Sequence, residues 1–438
     1  MMAVFPGTLR PSLSNTLDAS SSASAAGRGR HTSGRLLRVL GVWLGIAAAI
    51  GNTIGAGIVR SPGDIADWLP NTFLFLSVWI VGGLYALVGA SSMAELAAAI
   101  PLSGGQYNFS RRGIGEYAGF VVGWSDWLST CGTAAAVALV IAEYTSAFFP
   151  SLLGKTHAIG VDVGYQKLAA VAVILFFYVL QWRGVKWGSN TQIATAALKT
   201  AAFAVMVIAC FVWGHHTQNA VPGAPLPLPS GWPLVAAFML ALQAVIYAVD
   251  GWDGVVYFGE EVREPGRDIP RAIFGSVFSI MGIYLLLNLA VLYVLPMNQV
   301  AGNNFVLGTV AERVFGVYGD SFIRIIMIVS LLSCLNANQL FCSRTLYKMS
   351  SDRLFFRSAS RVNGGGTPVT ALMLSTIVGI IFVLGSFDRV IAMLSFLFVA
   401  NNTLSNASFL ILRQTEPQNP PPNPPWGDPW TTRIALGA

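Results

Sequence analysis

The chain has 438 residues, 54% of them hydrophobic and only 11% charged, with a mean hydropathy of +0.62. Soluble domains carry roughly 25% charged residues, so this composition excludes a water-soluble globule. A formal charge of +6 would suit a nucleic-acid binder, but the cations are placed as membrane topology requires and no nucleic acid is expected.

Residues 1–34 are rich in Ser, Ala, Gly and Arg without an apolar period, so they read as a disordered cytoplasmic tail. The tail is like a transit peptide in composition, but its arginines cluster late and lead directly into an apolar run. That run is too long, and begins too late, for a cleavable signal. Crossing a bilayer core takes about 20 helical residues. Apolar segments near 37–68, 72–99, 116–148, 167–183, 190–213, 232–260, 272–296, 319–345, 367–385 and 389–412 therefore read as about ten spans. With the N-terminus inside, about 19 Lys and Arg fall on that side and about 6 on the other. This is the positive-inside signature, and it puts both termini in the cytoplasm.

The first span is interrupted by GNTIGAGI, Gly51–Ile58. Its small residues ease unwinding and let a ligand approach the backbone. In lipid a helix unwinds only where it lines a cavity. The helix restarting near Ile58 would point free N–H groups back at the gap, where a carboxylate binds well. The plainer alternative is close helix packing through Gly51 and Gly55. About five spans later, AVDGWDG, Ala248–Gly254, breaks a second span, and its freed carbonyls would accept from an ammonium group. Paired broken helices in two halves of a chain are the strongest sequence pointer to a transporter site. Together the breaks have the polarity of a free amino acid. Tyr247 is placed to cover the pocket, although a buried aromatic is more often plain packing. Asp250 and Asp253 are costly in a membrane and should face the pocket or a water path.

Between the breaks, Lys199 is the one strongly basic residue deep in a span, about ten residues from the inner end. A lysine there costs on the order of 3 kcal/mol unless paired or hydrated, so it should face the bundle core near the first break. Glu95 and Asp126 lie toward inner span ends, where they would hold an inner gate together, and Glu143 lies near an outer end. The loop 98–117, with its SGG triplet and Arg111–Arg112, reads as a tight, positively charged turn. The loop 343–368 starts helical and ends in a glycine run, and 414–438 reads as a proline-rich, water-exposed tail. Cys131, Cys210, Cys334 and Cys342 fall in spans without CxxC spacing, which argues against a disulfide framework or zinc site. His31, His157, His215 and His216 lie in the tail or loops. Sequons at Asn108, Asn401 and Asn406 fall in a cytoplasmic loop or a span and read as chance matches.

The stretches GNTIGAGIVRSP, AELAAAIPLSGGQY, YAGFVVGWSDW, YAVDGWDG…EEVREPGRDIPRAI and SCLNANQLFCSRTLYKMSSDRLF occur in this order over residues 40–415. As a set they resemble the amino acid–polyamine–organocation superfamily, most closely its L-type amino-acid transporter branch and bacterial relatives. The resemblance implies an all-α integral membrane protein of LeuT type, with two inverted five-helix repeats (about 37–213 and 232–412) and helices 1 and 6 broken. It implies a substrate site along Thr53, Ile54, Gly55, Ala56 and Gly57, whose amides at 55–57 would hold the substrate carboxylate. Tyr247, Ala248, Asp250 and Gly251 would complete the site, with carbonyls at 247, 248 and 250 for the amino group. Tyr247 would be an outer gate, and Glu260 and Glu261 match paired acids at the inner end of span six. Lys199 matches a span-five lysine standing where other relatives bind sodium, which implies sodium-independent transport by exchange or proton coupling. The family usually has twelve spans, and this chain has about ten. Its Tyr gate replaces a common Phe, leaving side-chain selectivity open.

The reading is a sodium-independent amino-acid permease of the cell membrane, working by alternating access on a free amino acid, with no cofactor. A polyamine or organic-cation carrier is the alternative within transport, and a transport-deficient truncated homologue or sensor the alternative outside it. No HExxH, phosphate loop or Ser-His-Asp set suggests an enzyme.

Overall fold

A computed structural model describes residues 36, 38, 40–55, 57–158, 161–214, 227–303, 305–385 and 387–415. The expected tails before 36 and after 415, Ala56, His215 and His216 lie outside the described residues.

The elements run α1 (Val42–Thr53), α2 (Gly57–Trp68), α3 (Thr72–Ala99), α4 (Gln106–Gly113), α5 (Glu116–Ser146), β1 (Lys155–Ala158), β2 (Val161–Gly164), α6 (Tyr165–Trp182) and α7 (Val185–Trp213). They continue with α8 (Trp232–Val249), α9 (Pro265–Val294), α10 (Met297–Val300), α11 (Val306–Phe315), α12 (Gly319–Ser351), α13 (Val369–Leu384) and α14 (Phe387–Thr415). Among the described residues, seven helical stretches are long and apolar enough to cross a membrane, and α1 and α13 are shorter apolar helices. Exposed side chains such as Ile80, Leu84, Phe176, Leu198 and Ile208 would be anomalous in water. Against lipid they are the expected outer surface.

Local chemistry sets the helix ends. Asn71 caps α3, its Oδ1 accepting from the amides of Phe73 and Leu74 at 3.0 and 3.1 Å. At the other kind of terminus, the Lys167 ammonium donates to the carbonyls of Leu384 and Gly385 as α13 ends. The loop 98–117 is not a simple turn: its glycines flank a helix, α4, with Gly105 at φ +62° and Gly115 at φ +134°. A further departure is the short antiparallel hairpin β1–β2, with Lys155 opposite Gly164 and Ala158 opposite Val161, which no apolar alternation announced.

Long helices pack in a consistent grouping. α5 lies against α12, α13 and α14, while α3 and α1 lie against α9, and α2 against α8. The largest buried cluster joins α1, α2, α3, α8 and α9, and smaller ones form between α5, α6 and α12. The interrupted segments therefore sit inside the main core.

Candidate functional site

α1 stops at Thr53, Ile54 is extended (φ −76°, ψ 90°), and helix resumes at Gly57. The interruption thus begins about three residues later than the glycine run suggested. Gly51 is still helical, and a Cβ there would collide with the Gln192 amide and stand 2.8 Å from Ser333 Oγ. Its role is close packing against α7 and α12. Gln192 uses that space to donate to the Ala47 carbonyl and to Ser333 Oγ, both at 3.2 Å.

A helix that ends leaves carbonyls without intrahelical partners, at the negative end of its dipole. Lys199 of α7, fully buried, reaches this end: Nζ donates to the carbonyls of Ile50 (3.3 Å), Gly51 (3.0 Å) and Ile54 (2.8 Å). An ammonium has three donors, so all are used, and that is how a lysine persists here. The Ser330 hydroxyl also donates to Ile54 O.

α8 stops at Val249; Asp250 is extended and Gly251 takes φ +103°, a conformation natural only to glycine. A Cβ on Gly251 would stand 2.5 Å from the Asn52 amide and 3.0 Å from Thr53 Oγ1, and one on Gly57 would stand 3.2 Å from Ala248 Cα. The two interruptions are therefore in direct contact. Beyond the second, the chain forms 3-10 turns, Gly254–Tyr257 and Gly259–Glu261, rather than the α-helix expected up to 260. Close approach explains this: a Cβ on Gly259 would stand 2.6 Å from the Leu102 carbonyl, and one on Gly254 2.7 Å from the Phe341 ring.

Between the two interruptions lies Tyr284 of α9, which sequence reasoning missed. Its hydroxyl is 3.1 Å from Thr53 O and 3.0 Å from Ala248 O, sharing one proton between the carbonyls that end the two helices. The ring is fully buried and meets Trp79 edge-on at 5.7 Å. The available signal was a polar-tipped aromatic in an apolar span, which must find a partner. Asn338 of α12 was also missed; it donates to Asn52 Oδ1 at 2.9 Å.

Gly55 borders open space, since a Cβ there would meet nothing closer than Thr53 O at 4.0 Å. Thr53, Ile54 and Ala248 are buried. Tyr247, directly before Ala248 in α8, is 62% exposed. Asp250 and Asp253 are half-buried beside it.

At one end of the bundle, Glu261 is fully buried and pairs with Arg344 through two bonds, Nε–Oε1 at 2.9 Å and Nη2–Oε2 at 3.3 Å. The guanidinium also lies over the Phe258 ring. Glu260 faces Lys348 at 3.8 Å, and Lys348 also pairs with Asp352 (3.3 Å), which binds Arg111 (2.6 Å) and the Tyr107 hydroxyl (3.0 Å). Tyr107 is pushed up by burial and by the neighbouring Asp352 charge. Ahead of α1, Leu40 N donates to Glu261 O and Arg263 N donates to Leu40 O, both at 3.0 Å. Glu95 is held by Arg413 (2.7 and 3.0 Å), and Glu143 is exposed.

A family model described as "Amino acid permease" matches residues 40–437. The chain is similar to the serine/threonine exchanger SteT of Bacillus subtilis (strain 168), 28% identical over 318 residues, covering 72% of this chain and 68% of that protein. It is 27% identical over 370 residues to the b(0,+)-type amino acid transporter 1 of Mus musculus, covering 82% and 73%. Against the large neutral amino acids transporter small subunit 2 of Homo sapiens it is 29% identical over 309 residues, covering 68% of this chain and only 55% of that protein.

Proposed function

Since the chain belongs to the amino acid permease family, we propose that it moves free amino acids across the cell membrane by alternating access, independently of sodium. It is a multi-pass membrane transporter and not an enzyme. The observation that carries the proposal is the buried Lys199 ammonium bound to three carbonyls where α1 ends. A fixed cation at that point supplies the positive charge that a sodium ion would otherwise bring.

The substrate site we propose runs along Thr53 to Gly57, Tyr247, Ala248, Asp250 and Gly251. The amides at 55–57 would take the carboxylate, and the carbonyls at 247, 248 and 250 the ammonium. Ala248 O already accepts from Tyr284, but a carbonyl has a second lone pair. Tyr247, now exposed, would close over the bound substrate, and Glu260 and Glu261, with Lys348 and Arg344, would form the inner gate. In this reading both termini are cytoplasmic, the segments before 35 and after 413 are tails, and the spans form two inverted repeats.

A second reading has one observation in its favour: Asp250 and Asp253 lie half-buried beside the site, and would suit a substrate with an extra positive charge, such as a polyamine or other organic cation. Uptake of a panel of labelled amino acids and polyamines into proteoliposomes decides between them, with and without internal substrate, sodium and a pH gradient. Saturable, sodium-indifferent amino-acid uptake supports the first reading, and uptake confined to polyamines supports the second. Neither uptake nor binding favours a transport-deficient sensor.

A further inference from the structure

The turn between α6 and α7 and the loop between α12 and α13 are tied to each other. The carbonyls of Trp182 and Gln181 accept from the Asn363 amide and the Thr367 hydroxyl, both at 2.8 Å, and Val185 N donates to Gly365 O at 2.9 Å. A Cβ on Gly365 would stand 2.7 Å from Gly184 Cα, so the two segments meet backbone to backbone. Near its start the second loop also folds back on α12, the Ser350 hydroxyl donating to Phe356 O.

These joined segments carry five cations, Arg183, Lys186, Arg353, Arg357 and Arg361, and no Asp or Glu occurs within 182–190 or 353–368. All five are exposed, and none of their side chains has a hydrogen-bond or ion-pair partner among the described residues. Elsewhere at this end Arg111, Lys348 and Arg413 each bind a carboxylate. Membrane topology asks only that cations lie on one side; it does not ask that five be gathered without an acid. Aromatic rings border them. Phe356, 72% exposed, meets Phe355 edge-on at 5.0 Å, and Phe355 lies 5.8 Å from Trp124, which stacks on Phe120 at 6.2 Å. Trp182 and Trp187 are exposed beside Arg183 and Lys186. Such rings settle at the headgroup level of a bilayer.

A separate observation concerns Arg353. α12 ends in a Schellman turn, Leu354 N donating to Met349 O at 2.9 Å and Arg353 N to Ser350 O at 3.1 Å. Arg353 holds the left-handed position of that turn, φ +67°, where glycine is usual, and no other non-glycine residue among those described has positive φ. The conformation is unfavourable for a side chain, and the guanidinium gains no partner within the protein by adopting it. A partner outside the protein supplies what is missing.

We propose that Arg183, Lys186, Arg353, Arg357 and Arg361, framed by these rings, form a docking surface for the phosphate headgroups of anionic phospholipids. The occupant follows from complementarity. A planar guanidinium matches phosphate oxygens in pairs, and a lipid also lays its acyl chains beside the aromatic border, for which a free phosphate has no use. That the lipid belongs to the inner leaflet rests on the cytoplasmic placement in the proposed function; the binding itself does not.

The test is thermal unfolding of the purified full chain in neutral detergent, titrated with short-chain phosphatidylglycerol, short-chain phosphatidylcholine or glycerol phosphate. A ligand that binds only the folded state raises the unfolding temperature by mass action. We expect a saturable rise with phosphatidylglycerol alone. Replacing Arg353, Arg357 and Arg361 together with glutamine should weaken its apparent affinity at least about tenfold, since each basic residue near an anionic surface adds its own share. Arg353→Gly should unfold no earlier than wild type without lipid, because glycine suits the left-handed position, yet bind phosphatidylglycerol more weakly. Arg267→Gln, one cation fewer but outside this surface, should keep the wild-type response. Should the triple variant fail to fold, Arg183→Gln with Lys186→Gln on the other segment gives the same reading. No rise with phosphatidylglycerol, an equal rise with phosphatidylcholine, or an undiminished response in the variants overturns the proposal. An equal rise with glycerol phosphate overturns it too, marking a free-anion site instead of a lipid surface. None of these readings involves transport, so the permease reading stands or falls separately.

Discussion

Replacing Lys199 with alanine separates folding from function. The substitution removes the donor to Ile50 O, Gly51 O and Ile54 O, but Ile54 O keeps the Ser330 hydroxyl and Ile50 O keeps the Ile54 amide. One carbonyl, that of Gly51, loses its recorded partner. An orphaned buried acceptor costs about 1–3 kcal/mol, while the variant no longer bears the cost of desolvating an ammonium, which the three hydrogen bonds offset in the wild type. The two effects oppose each other, so Lys199→Ala should remain monodisperse with an unfolding temperature close to wild type. Transport has no such compensation, because the end of α1 loses the cation that fixes three carbonyls at once. Loss of even about 1.4 kcal/mol of that constraint is tenfold, so initial uptake should fall at least tenfold, or change its dependence on pH. Thermal unfolding followed by size-exclusion, alongside initial rates in proteoliposomes, reads both quantities. A folded Lys199→Ala protein with wild-type kinetics and pH dependence would refute the reasoning.

Tyr284→Phe removes the hydroxyl shared by Thr53 O and Ala248 O; at about 0.5–1.5 kcal/mol for a hydrogen bond, kcat/KM for uptake should fall by up to about tenfold. Arg344→Met leaves Glu261 buried and unpaired, which costs about 3–5 kcal/mol, whereas adding Glu261→Leu to it should recover most of the loss; thermal unfolding of the single and double variants checks this. Gly251→Ala forces a side chain into φ +103° and against Asn52. It should abolish uptake and lower the yield of monodisperse protein, and normal uptake by this variant would show that the two interruptions need not touch. Replacing sodium with choline should leave the wild-type initial rate unchanged.

The parts of this site legible in the sequence are those where a residue type is costly unless it has a special task. A lysine deep in an apolar run must find acceptors, and Lys199 does. Glycines inside apolar runs likewise marked both interruptions, although not their edges: Gly51 serves packing against Gln192, while the helix itself ends at Thr53. The same residue type misled at the 98–117 loop, because glycine marks a helix end as readily as a turn, and Gly105 and Gly115 bracket α4. Partners stayed hidden. Tyr284, Asn338 and Arg344 sit 231, 286 and 83 positions from the groups they bind, and no local pattern records such pairings.

Two backbone hydrogen bonds join Leu40 to Glu261 and Arg263, fastening the chain entering α1 to the chain leaving the second interruption. With Tyr284 and the Gly251–Asn52 contact deeper in, the two interrupted segments are clamped at two levels. Fastened in this way, they should move as one lever arm rather than as two latches. A spin-label pair at Leu40 and Val262 should therefore keep a single separation through the cycle, while each label changes its distance to α12.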